Sequence, residues 1–177
     1  MHPKIELLLQ LLDQAFDHRA WHGPTLFGAL RRVTAEEAAW RPAPGRNTIW
    51  DLAVHAAYWK YTVRRRLHGD RRSGFPRAGS NWFPLPDPAD AAAWKRDVAL
   101  LRDEHRMLRD VVAGLDPADL EKRSERRRWR HEEMIAGIAA HDLYHAGQIQ
   151  LLKRLHVAHA SRRRPRRRRP RRGKKQR

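Results

Sequence analysis

The stretch WKRDVALLRDEHRMLRDVVAGL, residues 94–115, turns one face inward every three or four positions: Trp94, Val98, Leu101, His105, Leu108, Val112 and Leu115. Side chains at that spacing stack on one side of a helix, while the Lys, Arg, Asp and Glu between them face water. Such a stripe belongs to a helix that packs in a bundle. Three more stretches show the same period. From Pro3 to about Ala20 the apolar face is Ile5, Leu8, Leu9, Leu12, Ala15 and Phe16, with proline in the first turn, where a missing N–H costs nothing. A second helix opens at Thr48, with Asp51 three residues on as a cap, and runs through Ile49, Leu52, His55, Ala56, Trp59, Val63 and Leu67. The quoted helix is third and opens at Asp87-Pro88-Ala89-Asp90; a fourth, from about His131 to Leu155, carries Met134, Ile138, His141, His145, Ile149, Leu152 and Leu155. No strand-type alternation competes and no repeat is visible. The fold class is all-α, a four-helix bundle.

Between the first two long helices lie a short capped turn, Thr34 to Glu37, and the loop RPAPGRN. Residues 69–90, between the second and third, hold three Gly, four Pro and the pair Trp82-Phe83. A connection of that length suits a crossover over the end of a bundle, with aromatics placed to roof a pocket.

The net charge of +18 is unevenly spread. The segment SRRRPRRRRPRRGKKQR (161–177) has ten Arg, two Lys and no acid; the rest of the chain has 26 basic and 20 acidic residues, a balance of +6. A segment so charged, with no apolar residue but proline, buries too little surface to offset the ordering of its backbone. The expected organisation is a bundle over residues 1–160 and a disordered Arg/Lys-rich tail over 161–177. The chain has no cysteine, hence no thiol nucleophile or zinc knuckle of its own. No secretory pattern and no membrane span is visible, so a soluble cytoplasmic protein is expected.

Eleven histidines make a pair four apart unremarkable by itself, and there are two, His18/His22 and His141/His145. The faces differ. His18 and His22 fall beside the stripe of the first helix, whereas His141 and His145 stand in line with Ile138, Ile149 and Leu152. His55 stands likewise among Leu52, Ala56 and Trp59. Any one of these is readily a core histidine satisfied by a carbonyl or carboxylate. Three inward imidazoles on two helices also suit one metal ion with an open position, at nitrogen distances of about 2.0–2.1 Å. His105 lies on a core stripe too, as a fourth ligand, a neighbour of the ligands or a core filler.

The pieces TIWDLAVHAAYW (48–59) and HDLYHAGQIQLL (141–152) resemble the two signature regions of the DinB/YfiT-like superfamily. Similar features run from about residue 5 to 155, among them WHGPTL (21–26), WRPAPGRNTIW (40–50) and SNWFPLP (80–86). The resemblance implies a four-helix bundle of up-down-down-up topology. It also implies a divalent metal, often zinc or nickel, held by one histidine of the second helix and two of the fourth. Those positions are His55, His141 and His145. His105 is not among the family's ligands, and the basic tail has no counterpart in the family pattern.

Characterised relatives in that superfamily include S-transferases that use low-molecular-weight thiols and a thiol-dependent isomerase. The resemblance thus implies a metal-dependent enzyme, S-transferase-like or hydrolytic, that activates a small thiol or water against an electrophilic small molecule. Asp142 follows the first histidine of the pair and is a candidate general base, with a salt bridge or a hydrogen bond behind the ligands as the more ordinary role. Tyr144, Gln148 and His105 either orient ligand or substrate or close polar networks, and Trp59 is either core or substrate platform. A non-catalytic, stress-associated metal-binding protein is a second reading. A third is a nucleic-acid or polyanion binder acting through 161–177 without sequence preference. No membrane partner is expected, and a homodimer is left open.

Overall fold

The computed structural model describes residues 1–69, 74–123 and 128–163. Among them are six α-helices and no strand. The first five of these helices each begin where a side chain accepts one of their free N–H groups. Helix α1 (Pro3–Phe16) follows His2, whose Nδ1 accepts the Lys4 N–H at 3.3 Å. Two short helices come next, α2 (Leu26–Ala29) behind Thr25 and α3 (Ala35–Ala39) behind a reciprocal Thr34–Glu37 capping box. Helix α4 (Ile49–His68) has the same box in Thr48 and Asp51 and stops at Gly69, in the left-handed region at φ +69°. Helix α5 (Ala91–Ala113) leads through a 3-10 turn at Pro117–Glu121 to the 33-residue α6 (His131–Arg163). No helix of the described residues is long and apolar enough to cross a membrane.

Three boundaries differ from the sequence reading. The first helix ends at Phe16, short of Ala20, because Phe16 is its last core side chain and Asp17, His18 and Arg19 are exposed. The quoted helix starts at Ala91: Asp90, not Asp87, is the cap, its carboxylate accepting the Ala93 N–H at 2.7 Å. The last helix passes Leu155 and runs through residues 161–163, which the sequence reading placed in the tail. Nothing between Gly147 and Pro165 breaks a helix, so the helix continues past residue 160 with its last turns exposed. The remainder of the expected tail, 164–177, lies outside the described residues.

The four long helices pack as an all-α bundle, α4 against α5 and α6, and α1 against α5 and α6. Their buried apolar residues form two clusters. One gathers Phe16, Trp50, Leu52, Leu101, Ile149 and Leu152; the other gathers Leu12, Val63, Leu67, Leu108, Ile135 and Ile138. Where α4, α5 and α6 pass from one cluster to the other, polar side chains are buried: Lys60 on α4, Glu104 and His105 on α5, Asp142 and His145 on α6. The bundle therefore has a polar layer between two apolar halves.

Cross-helix pairs, some at this layer and some nearer the helix ends, align the helices. Lys4 of α1 meets Glu132 of α6 at 3.3 Å, and Asp13 and Phe16 of α1 meet Arg109 and His105 of α5. Trp50 of α4 donates its indole N–H to Asp97 of α5 at 2.7 Å, and Arg64 pairs with Glu104 at 3.1 Å. Buried polar groups of this kind are stable only with partners, which makes the layer specific in register.

Candidate metal centre

His55 of α4 and His141 and His145 of α6 converge at one side of the polar layer. The α6 pair shares a face because residues four apart are stacked neighbours on a helix. The Nε2 atoms of His55 and His141 are 3.2 Å apart and those of His141 and His145 are 3.0 Å apart. One nitrogen from each of the three lies within 4.8 Å of the others, an arrangement that could hold a metal ion.

The outer ring nitrogens decide which form two of the rings take. His55 Nδ1–H donates to the Asn81 carbonyl at 2.9 Å, and His145 Nδ1–H donates to Gln148 Oε1 at 2.7 Å. An oxygen acceptor on Nδ1 places the proton there and leaves a lone pair on Nε2. Two lone pairs thus point at the His141 Nε2, which has at most one proton to offer. His141 Nδ1 is buried with no hydrogen-bond partner among the described residues. A cation resolves the conflict: nitrogens held tetrahedrally at about 2.0–2.1 Å from one ion sit about 3.3 Å apart. The donor set, three neutral imidazoles, fits a divalent metal.

Burial keeps all three rings in the ligating form. It pushes His141 down to about 3, helped by the neighbouring His145, His55 and Lys60. It pushes His145 down to about 4 against the opposing Gln148 hydrogen bond, and it lowers His55 against that of Asn81. The unfolded chain, with histidines near 6.5, therefore binds more protons than the folded one in mildly acidic solution. Stability from this source is complete above pH 6.5 and is lost as the pH falls toward 4. Thermal melts should accordingly show a lower Tm at pH 5 than at pH 7.5, and an unchanged Tm would refute neutral burial of the cluster.

The long connection supplies the surroundings of His55. Trp82 stacks on the His55 ring, centroids 4.0 Å apart and planes 11° off parallel. The expected aromatic roof is thus found in Trp82, while Phe83 is buried in the core. Trp59 donates its indole N–H to Asn81 Oδ1 at 3.0 Å, so Asn81 ties two α4 side chains to the connection. Asn81 takes φ +64°, a left-handed conformation that asparagine tolerates better than most residues. The sequence reading did not single it out, since its role is carried partly by a backbone carbonyl, which leaves no mark on residue type.

Behind the cluster, Lys60 and Asp142 form an ion pair with both side chains fully buried. Lys60 Nζ also lies 3.4 Å from His105 Nδ1 and over the Phe16 ring. His105 stacks on Phe16 at 3.8 Å, and burial with nearby Lys60 and Arg109 pushes it down to about 2. It stays neutral and accepts from Lys60, outside the three-histidine cluster. Asp142 is pushed up to about 6 by burial, against the pull of Lys60, and its Oδ1 has no hydrogen-bond partner among the described residues. Gln148 holds His145, Trp59 stands 6.4 Å from the His141 ring, and Tyr144, 65% exposed, touches His145 edge-on. Lys60 escaped the sequence reading because a lysine amid helix polarity ordinarily reads as solvated.

No curated protein and no solved structure matches the chain. A sequence model of the DinB superfamily matches residues 19–149, which include both histidine-bearing segments and the connection that covers them. With that match spanning most of the chain and the cluster built from its two signature regions, the protein belongs to the DinB superfamily.

Proposed function

We propose that this chain is a divalent-metal protein, with zinc or nickel held by His55, His141 and His145, and that it activates a small thiol or water against an electrophilic small molecule. The observation that carries the reading is the convergence of Nε2 atoms whose Nδ1 partners, Asn81 and Gln148, leave lone pairs facing one another. When bound between three neutral ligands, such an ion supplies Lewis-acid chemistry with its full double charge, lowering the pKa of an adjacent water or thiol. Asn81 and Gln148 orient the ligating rings, and Trp82 shields His55 from water. The up-down-down-up topology is part of the same proposal. Like ends of α1 and α6 meet through Lys4 and Glu132, and α4 and α5 descend together through Trp50–Asp97 and Arg64–Glu104.

A thiol route and a water route make different demands. The chain has no cysteine, so thiol transfer should saturate in added small thiol and vanish without it, whereas hydrolysis should proceed regardless. The measurement is a screen of electrophiles with several thiols on metal-loaded protein against a His141→Ala control. Rates no higher than the control, with metal bound, would replace the enzyme reading with non-catalytic metal binding.

The charge of the C-terminal segment favours a second, separable activity. Residues 164–177 contain eight Arg, two Lys and no acid, a composition suited to phosphate contacts without base readout. If about half of these cations engage duplex DNA, the log–log salt slope should be roughly −4 to −5. Truncation after Arg163 should abolish this binding and leave metal content unchanged; selective DNA binding by the truncated protein would refute the assignment.

A further inference from the structure

A groove of about 350 Å³ opens between α4 and α6, and His141 belongs both to its wall and to the histidine cluster. Its wall is largely apolar, with the indoles of Trp59 and Trp129 beside Met134 and Ile138. Trp129 is 49% exposed beside the cavity, with the Arg128 guanidinium over its ring 5.3 Å from the centroid. Two charged residues also line it. Glu133 is engaged, accepting the Arg130 N–H at 2.6 Å. Arg66 is exposed and has no ion-pair or hydrogen-bond partner among the described residues.

Gly137 gives the groove its depth. A Cβ there would meet nothing within 4 Å, so packing inside the protein does not require glycine. Glycine within a helix is destabilising relative to alanine, yet here it stands in the groove wall one turn before His141. The volume lies at the low end of small-ligand sites, enough for one or two rings. Indole walls favour a flat apolar body, and the uncommitted guanidinium favours an anionic group.

We propose that the groove binds the small-molecule substrate of the histidine centre and that this substrate is a planar, apolar carboxylate, its rings between Trp59 and Trp129, its anionic group at Arg66 and its other end at His141. The inference rests on the metal-centre reading for its catalytic meaning, but the binding itself does not. Two probes of equal ring size test it by calorimetry, 2-naphthoate and the neutral 2-naphthylmethanol, with metal content measured on every sample.

The wild-type protein should bind 2-naphthoate more tightly than the alcohol. Arg66→Gln should weaken 2-naphthoate about fivefold, the scale of one exposed ion pair, and leave the alcohol unchanged. Gly137→Leu should weaken both probes by more than about tenfold by filling the groove, with metal content unchanged. Should Gly137→Leu not fold, Trp129→Ala at its exposed site serves instead and should weaken both probes. No probe binding to metal-containing wild-type protein would overturn the groove and leave the metal centre standing. A preference for the carboxylate that survives Arg66→Gln would overturn the placement of the anionic group at Arg66, and equal binding of 2-naphthoate and the alcohol by the wild-type protein would overturn the substrate class. Probe binding as expected by a protein that takes up no metal would support the groove and refute the metal centre.

Discussion

His55→Ala should leave purified protein nearly free of metal, where the unaltered chain should hold about one divalent ion per molecule. His141→Ala and His145→Ala should do the same. Each substitution removes one of three converging nitrogens, and two remaining imidazoles on flexible contacts hold an ion far more weakly than three. A graded comparison sharpens the test. Gln148→Ala removes only the acceptor that fixes the His145 ring and should weaken metal affinity by about 10- to 100-fold, the usual effect of losing such a support. The ligand substitutions should exceed that. His105→Ala should leave metal content near the starting value, since His105 faces Lys60 and Phe16. Metal analysis after chelator competition measures the five variants beside the unaltered protein. Full occupancy in His55→Ala, or loss confined to His105→Ala, would move the site elsewhere in the polar layer.

Lys60→Met should be the most destabilising single change in the layer. It strands the Asp142 carboxylate at a fully buried position, where removal of one partner of an ion pair costs about 3–5 kcal/mol. For a domain of this size that corresponds to a fall in Tm of roughly 6–20 °C. Lys60→Met with Asp142→Leu should recover much of the loss, because apolar residues of similar volume often replace a buried pair without cost. Equal Tm for Lys60→Met and the unaltered protein would mean that the pair is not buried as described. The same residues separate two roles for Asp142. As a general base it should slow turnover on the order of a hundredfold in Asp142→Asn at unchanged metal content. As the partner of Lys60 it should lower Tm and leave the rate on metal-loaded protein nearly unchanged. Its complete burial and its contact with Lys60 favour the second outcome.

How far the site was legible depended on what each residue type advertises. His55, His141 and His145 announce themselves because an imidazole on an apolar stripe is out of place, and the i, i+4 spacing ties two of them to one face. The resemblance of residues 48–59 and 141–152 to a known family favoured a metal over three separate core histidines. Asp142 and Trp59 stood close enough to these motifs to be noticed, but their partners, Lys60 and Asn81, were not. Lys60 carries the most water-loving of side chains, and Asn81 acts on His55 through its carbonyl, a group that every residue has.

The amino-acid order by itself determined the helices, because period and caps are local: Thr48 with Asp51 starts α4, and the stripe from Trp94 to Val112 makes α5. It left open the ends that depend on contact, such as the stop after Phe16, where the core runs out, and the continuation of α6 to Arg163. Tertiary packing alone decided that the polar gaps in α4, α5 and α6 fall at one level. His55 meets residues 86 positions away there, and Lys60 meets a carboxylate 82 positions away. Nothing local encodes such a meeting. It follows from apolar burial above and below the layer, which aligns the helices, and from the high cost of burying a lone polar group, which permits no alignment that leaves these side chains apart.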